Sequence, residues 1–246
     1  MNVAFYTAAS GLFAYQHDID VLANNMANVS TIGFKPSRVS FNDLLYTKMN
    51  INKEEPELAG HGVKAQNVDL LFGESVMNFT GYPLDFAISG NGFFAVQNER
   101  GETTYTRNGS FDISLSGQSG YLVDSVGNFV LDMSGRKIKL TAKNGSNEFD
   151  LSDLSSRIGV YTFSNPYGLE SVGSSQFAAT EKSGQAVSAA KSKNADYTLL
   201  SNALEFSSVD MADTMSDVML SSRAYQFSAK MLQTSDEIEE IVNNLR

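Results

Sequence analysis

Apolar residues recur in alternating steps of three and four at both ends of this chain, and not in its middle. Near the start they fall at Phe5, Ala8, Leu12, Tyr15, Ile19, Leu22, Met26 and Val29. This is a heptad seam, the pattern of a helix that packs lengthwise on other helices. It stops at Ser30-Thr31-Ile32-Gly33, with Pro36 just beyond, a combination that ends helices. Near the end the seam reads Met211, Met215, Val218, Ser222, Tyr225, Ala229 and Leu232. It then slips by one position and continues through Met231, Ser235, Ile238, Val242 and Leu245. A straight helix drifting against a seven-residue repeat produces such a slip. Ser207 is expected to cap this helix, with Asp210 three residues on. From Asp210 to Leu245 it would extend about 54 Å at 1.5 Å per residue.

Two such helices can pair with each other, but a pair leaves an outer face bare. A narrow seam buries roughly two side chains per heptad, each worth about 1.5 to 3 kcal/mol. Ordering the backbone costs about 1 to 2 kcal/mol per residue. A lone pair is therefore marginal, and the pattern implies that the helices meet other copies.

Between the seams the period changes to two. Phe93-Phe94-Ala95-Val96 and Thr103-Thr104-Tyr105-Thr106 flank Asn98-Glu99-Arg100-Gly101, a hairpin signal. Short strands follow around Phe111-Asp112-Ile113, Tyr121-Leu122-Val123, Phe129-Val130-Leu131 and 158–163, punctuated by glycine turns. The expected fold class is α+β: long N- and C-terminal helices forming a coiled-coil domain, with a central all-β domain. The expected divisions are an N-terminal helix and connector over 1–49, an extended connector over 50–80, and the β domain over 81–180. A second connector over 181–206 and the C-terminal helix over 207–246 complete the chain.

The formal net charge of −10 disfavours nucleic acid, whose phosphates call for clustered Lys and Arg. No apolar run approaches the roughly 18 residues of a membrane span. The N-terminus lacks the basic region and cleavage site of a Sec signal peptide. With no Cys there is no thiolate or Cys-ligated metal chemistry. His17 and His61 have no partners at ligand spacing, no Gly-x-Ser-x-Gly elbow occurs, and Gly90-Asn91-Gly92 lacks the third glycine of a dinucleotide fingerprint. The carboxylate pairs Asp150/Asp153 and Glu239/Glu240 fall in a turn and on a solvated helix end. No catalytic residue, metal or cofactor is expected.

Three stretches resemble the flagellar basal-body rod and hook family. The first is Gly11-Leu12 with Asp20-Val21-Leu22-Ala23-Asn24-Asn25-Met26-Ala27-Asn28-Val29-Ser30-Thr31-Ile32-Gly33-Phe34-Lys35. The second is Gly90-Asn91-Gly92-Phe93-Phe94, Tyr105-Thr106-Arg107-Asn108-Gly109-Ser110-Phe111 and Gly120-Tyr121-Leu122-Val123. The third is Leu204-Glu205 to Val209-Asp210, then Ser222-Arg223-Ala224-Tyr225 and Thr234-Ser235-Asp236-Glu237. The family usually has Ser-Asn-Val-Asp where this chain has Ser207-Ser208-Val209-Asp210, and often Gln in place of Ser222.

The resemblance implies a structural rod subunit that polymerises helically around a central channel and forms the drive shaft between motor and hook. It implies export through the flagellar type III apparatus across the cytoplasmic membrane, and residence in the flagellar basal body. Implied partners are further copies of the chain, other rod subunits, hook or hook-junction proteins and the export apparatus. Ring or bushing proteins are further candidates, and neither nucleic acid nor membrane insertion is implied. In this picture Asn24, Asn25 and Asn28 fix helix register as polar seam residues do. The candidate polymerisation interface is Leu12, Tyr15, Ile19, Leu22, Asn24, Asn25, Met26, Asn28 and Val29 on the first helix and its stop. On the last helix it is Met215, Val218, Tyr225, Leu232, Ile238, Val242 and Leu245. The length favours the distal rod, whereas the opening Asn2-Val3-Ala4-Phe5-Tyr6-Thr7-Ala8 also resembles proximal members. A hook-type axial subunit, an assembly cap or scaffold, and a peptidoglycan-acting enzyme are the alternatives.

Overall fold

The computed structural model describes residues 3–49, 57–73, 75–116, 119–141, 149, 151, 153–189 and 197–245. The chain divides into two compact units. One comprises Met1–Ala27, Ser37–Asp69 and Asp210–Arg246, and the other Asn28–Pro36 and Leu70–Val209.

The first unit is built on helix α1 (Val3–Ala27) and the strands β1 (Ser37–Asp43), β2 (Tyr46–Met49), β3 (Glu57–Gly60) and β4 (Val63–Leu70). Strand β1 pairs with β4, and β2 pairs antiparallel with β3. Much of the segment 50–80, expected as an extended connector, thus belongs to paired strands. Its low apolar content hid them, since every described β4 residue up to Asp69 is at least partly exposed.

In the second unit the strands run β5 (Met77–Phe79), β6 (Phe86–Gly90), β7 (Phe93–Gln97), β8 (Thr103–Thr106), β9 (Phe111–Ser116), β10 (Ser119–Asp124), β11 (Phe129–Val130) and β12 (Lys139–Thr141). A single helical turn, α2 (Leu154–Arg157), then leads to β13 (Val160–Thr162), β14 (Glu170–Gly173), β15 (Gln176–Ala178), β16 (Val187–Ser188), β17 (Tyr197–Ser201) and β18 (Ala203–Glu205). The last two pair antiparallel with β6 and β5, so the segment expected as the second connector supplies strands. Ala203, Leu204 and Glu205 are all buried.

Strand β7 organises the unit, pairing with β8, β11 and β13. Its run Phe93-Phe94-Ala95-Val96 is apolar at every position because both faces are covered. Phe94 and Val96 enter a cluster with Phe86, Ile88, Phe111, Leu122, Val130 and Ile158. Phe93 and Ala95 enter a second cluster with Tyr105, Phe163, Leu169 and Phe177. In this second cluster Phe93 meets Phe163 and Phe177 edge-to-face at 5.7 and 6.0 Å.

Three hairpin turns share one chemistry. At Asn98–Glu102, Asp124–Asn128 and Asp132–Arg136 the first side chain accepts a hydrogen bond from the backbone N–H four residues on, at 2.8 to 2.9 Å. The fourth residue of each is a glycine with φ of 89, 97 or 77°, a region that L side chains rarely enter.

Helix α3 (Met211–Asn244) returns the chain to the first unit. Its N-cap is Asp210, not Ser207: the Asp210 carboxylate accepts from Ala212 N at 2.8 Å and Asp213 N at 3.1 Å. Ser207 Oγ instead accepts from Val209 N, two residues on, as hydroxyls do in turns. The two readings differ because both residues are good caps, and the carboxylate adds charge at the positive end of the helix dipole.

A candidate assembly surface on the terminal helices

Helices α1 and α3 pack antiparallel along a seam made of small and hydroxyl side chains. A side chain placed at Gly11 would meet Ser228 Oγ at 3.1 Å. Seven residues further along α1 and seven back along α3, Ser221 Oγ donates to Asp18 Oδ2 at 2.6 Å. On α3 the buried residues are Thr214, Ser221 and Ser235; on α1 they are Gly11, Ala14 and Asn25. Hydroxyls recur every seven residues at Thr214, Ser221, Ser228 and Ser235. A helix pair held by such groups lets the backbones approach closely, and it buries little apolar area.

The large apolar side chains lie beside this seam. Leu12, Tyr15, Ile19, Leu22 and Met26 are half-buried, as are Val218, Tyr225 and Leu232; Val29, also half-buried, lies past the end of α1 in the turn of the second unit. Tyr15 meets Phe41 of β1 at 5.8 Å between ring centroids. Met215, Ile238, Val242 and Leu245 are exposed, Leu245 by 82%. Met231, on the expected seam, is exposed too, and the heptad pattern passed over further members of the exposed set: Tyr6 and Phe13 on α1, and Leu220 and Phe227 on α3. At roughly 100° per residue, Leu220, Phe227, Met231, Ile238, Val242 and Leu245 form one stripe about a quarter-turn from the hydroxyl row. The overlooked signal is the hydroxyl row itself: a period-seven line of Ser and Thr marks the closest approach, and the apolar residues flank it.

The three asparagines have separate surroundings. Asn25 is 4% exposed and makes a reciprocal pair with the Ser37 backbone. Its Nδ2 donates to Ser37 O at 2.7 Å, and Ser37 N donates to its Oδ1 at 2.9 Å. It thereby ties the end of α1 to the start of β1. Asn28 Oδ1 accepts from Thr31 Oγ1 at 3.0 Å in the turn that stops the helix. Asn24 is exposed.

The motif residues outside the helices meet in one buried cluster within the second unit. Lys35 Nζ donates to Glu205 Oε1 at 2.6 Å, and Arg107 Nη1 to Glu205 Oε2 at 3.3 Å. Lys35 also donates to Gly73 O at 2.7 Å, and Arg107 to Ile88 O and Gly90 O at 3.1 and 2.7 Å. Gly33 N donates to Glu205 O at 2.8 Å. Gly33 has φ of +66°, and an added Cβ would lie 2.6 Å from the Arg107–Asn108 peptide. Buried charges survive when paired and hydrogen-bonded, as these are. The Gly-Phe-Lys, Tyr-Thr-Arg-Asn-Gly and Leu-Glu motifs, distant in sequence, thus form one structural clamp.

Chemistry is poorly supplied. His17 is exposed, and His61 is hydrogen-bonded to Thr47. Asp124 and Asp132 are engaged in their hairpin turns. Asp150 lies outside the described residues. No group of side chains suited to a metal ion occurs among the described residues.

Three family descriptions match the chain in order. Flagella basal body rod protein matches residues 5–35, flagellar hook protein FlgE/F/G D1 domain matches 87–154, and flagellar basal body rod FlgEFG protein C-terminal matches 200–245. The flagellar basal-body rod protein FlgG of Borreliella burgdorferi is 34% identical over 266 residues, covering 100% of this chain and 99% of that protein. That of Bacillus subtilis is 34% identical over 263 residues, covering 98% of each. The flagellar hook protein FlgE of Borreliella burgdorferi is 31% identical over 172 residues, covering 65% of this chain and 37% of that protein.

Proposed function

The chain belongs to the flagellar basal-body rod protein family, and we propose that it is a structural subunit of the rod in the bacterial flagellar basal body, polymerising through its terminal helices. The observation that carries the assembly reading is the placement of apolar residues on α3. The side chains that would stabilise a self-contained pair lie outward, and the pair's own seam is Ser, Thr, Gly and Ala. An exposed stripe of this extent is an interaction surface. Neighbouring copies cover it, with the half-buried Leu12, Tyr15, Ile19, Leu22, Met26, Val218, Tyr225 and Leu232 at its borders.

Association with other rod and hook subunits follows from the shared family, since hook proteins match part of the same chain. The distal rod is the position proposed, because full-length similarity is to rod proteins named FlgG and the hook protein covers only part of the chain. Export through the flagellar type III apparatus, and ring or bushing proteins as neighbours, are proposed from the family alone. The chain is taken to perform no chemistry: its relatives are named as rod proteins, and its histidines and turn carboxylates have structural surroundings. Purified protein should release no muropeptides from peptidoglycan beyond a heat-inactivated control.

The testing experiment is electron microscopy of basal bodies from a strain lacking this chain. Rods that stop short without a hook are expected, and complete rotating flagella would overturn the assignment.

A further inference from the structure

Exposed charge of opposite sign sits on the two units. On α3, Asp236, Glu237, Glu239 and Glu240 crowd around Ile238, and all are exposed. None is ion-paired with a described basic side chain. Among the described residues the last turn of α3 contains no base, and these carboxylates approach the negative end of the helix dipole. Glu237 and Glu239, each one residue from Ile238, flank the apolar stripe on either side at roughly 100°.

In the second unit, Lys137 and Lys139 alternate with Ile138 and Leu140, which are 1% exposed, so both lysines project from the outer face of the sheet. Lys137 Nζ stands 3.8 Å from the Phe129 ring centroid, and Phe129 meets Tyr121 edge-on at 5.7 Å. Tyr121 is directly opposite Lys139 in the ladder. Arg157 Nη2 donates to Lys139 O at 2.8 Å, which places a third cation beside them. Arg136 is already bound to Asp132, and Asp112 lies across the same face on β9, opposite Val123. The face is therefore aromatic at its centre and cationic along one edge. It mirrors the Glu237–Ile238–Glu239 segment, which is apolar at its centre and anionic at its borders.

We propose that this sheet face, centred on Tyr121, Phe129, Lys137 and Lys139, receives the Glu237–Glu239 turn of α3 from a second copy of the chain. The proposal rests on the polymerisation reading and adds a contact that pairs a β unit with a terminal helix. Charge complementarity selects the occupant: in a chain of net charge −10, none of Lys137, Lys139 and Arg157 is ion-paired with a described carboxylate, and a dense group of acids lies on one helix. Such a contact sets register between copies and speeds encounter, and salt weakens it.

The test uses full-length chain and follows assembly by light scattering. Lys137→Glu with Lys139→Glu should slow assembly about tenfold at low salt, as should Glu237→Lys with Glu239→Lys. All four substitutions together should restore most of the rate. Because the chain has no cysteine, Ser114→Cys and Ile241→Cys on separate molecules report the contact through a short bis-maleimide, and a cross-linked pair is expected only in the mixture. If the doubly substituted variants assemble normally while Phe227→Asp does not, the contact is wrong and polymerisation through the helices stands. If Phe227→Asp also assembles normally, the polymerisation reading itself fails. Cross-linking confined to single chains carrying both cysteines would overturn the contact between copies.

Discussion

The two units solve the problem of burial in opposite ways. In the second, Phe93 and Phe94 of β7 reach clusters on both faces, and even the Lys35–Glu205–Arg107 charges are enclosed and ion-paired within the same chain. In the first, α1 and α3 meet through Gly11, Asp18, Ser221 and Ser228, and Leu220, Phe227 and Ile238 are left in solvent. One unit completes its own core; the other leaves large apolar side chains exposed, and in the proposed assembly further copies would cover them. A chain that must be stable as a subunit and also tile into a polymer needs both.

The contrast can be broken at the charge cluster first. Glu205→Ala leaves Lys35 and Arg107 buried around a missing carboxylate. It should cost about 3 to 5 kcal/mol, seen as a lower denaturation midpoint of the β signal. Unchanged unfolding would mean that the clamp is not structural. The helical unit should respond the other way to Phe227→Asp or Leu22→Asp. Assembled rods and motility are expected to be lost, with the β unfolding midpoint within about 0.5 kcal/mol of the parent. Normal rods would refute the apolar-stripe argument.

Smaller effects sharpen the picture. Gly11→Val forces a branched side chain against Ser228 and should lower the stability of the helix pair by about 1 to 3 kcal/mol, read from helical ellipticity on heating. Asp210→Ala removes two capping bonds and should cost about 1 kcal/mol, confined to α3.

The smallest effect is acid-linked. Partial burial of Asp132 pushes its carboxyl up, but the Arg136 and Ser134 amides and the Arg136 guanidinium outweigh it and hold the group below the usual carboxylate range. A depressed folded value means that this stabilisation is present above the unfolded pKa of about 3.9 and is lost as pH falls through the folded one. Asp132→Asn should therefore flatten the acid limb of stability below about pH 4, and an identical limb would exclude the contribution.

Much of this architecture is legible from periodicity. The heptads place both helices, and the uninterrupted Phe93–Val96 run signals a strand covered on both faces. What escaped were features in which small or polar residues decide the packing. The α1–α3 seam runs through Ser and Thr, so a search for apolar spacing finds its flanks. Strands β17 and β18 read as polar connector because each residue must be judged by its partner strand, which lies more than 100 positions away in the case of β6 and β5. The clamp residues were visible as motifs, yet nothing local tells that Lys35 and Arg107 share one carboxylate, because pairing across 170 and 98 residues is a property of the closed fold.

Hydrogen exchange on the same protein before and after polymerisation tests the central claim most directly. In the free subunit the amides of β7, β10 and β11 should be strongly protected and those of α3 from Leu220 to Leu245 weakly so. Assembly should then protect α3 by at least about a hundredfold and leave the β strands unchanged. Equal protection of both units in the free subunit, or no gain in α3 on assembly, would contradict the account.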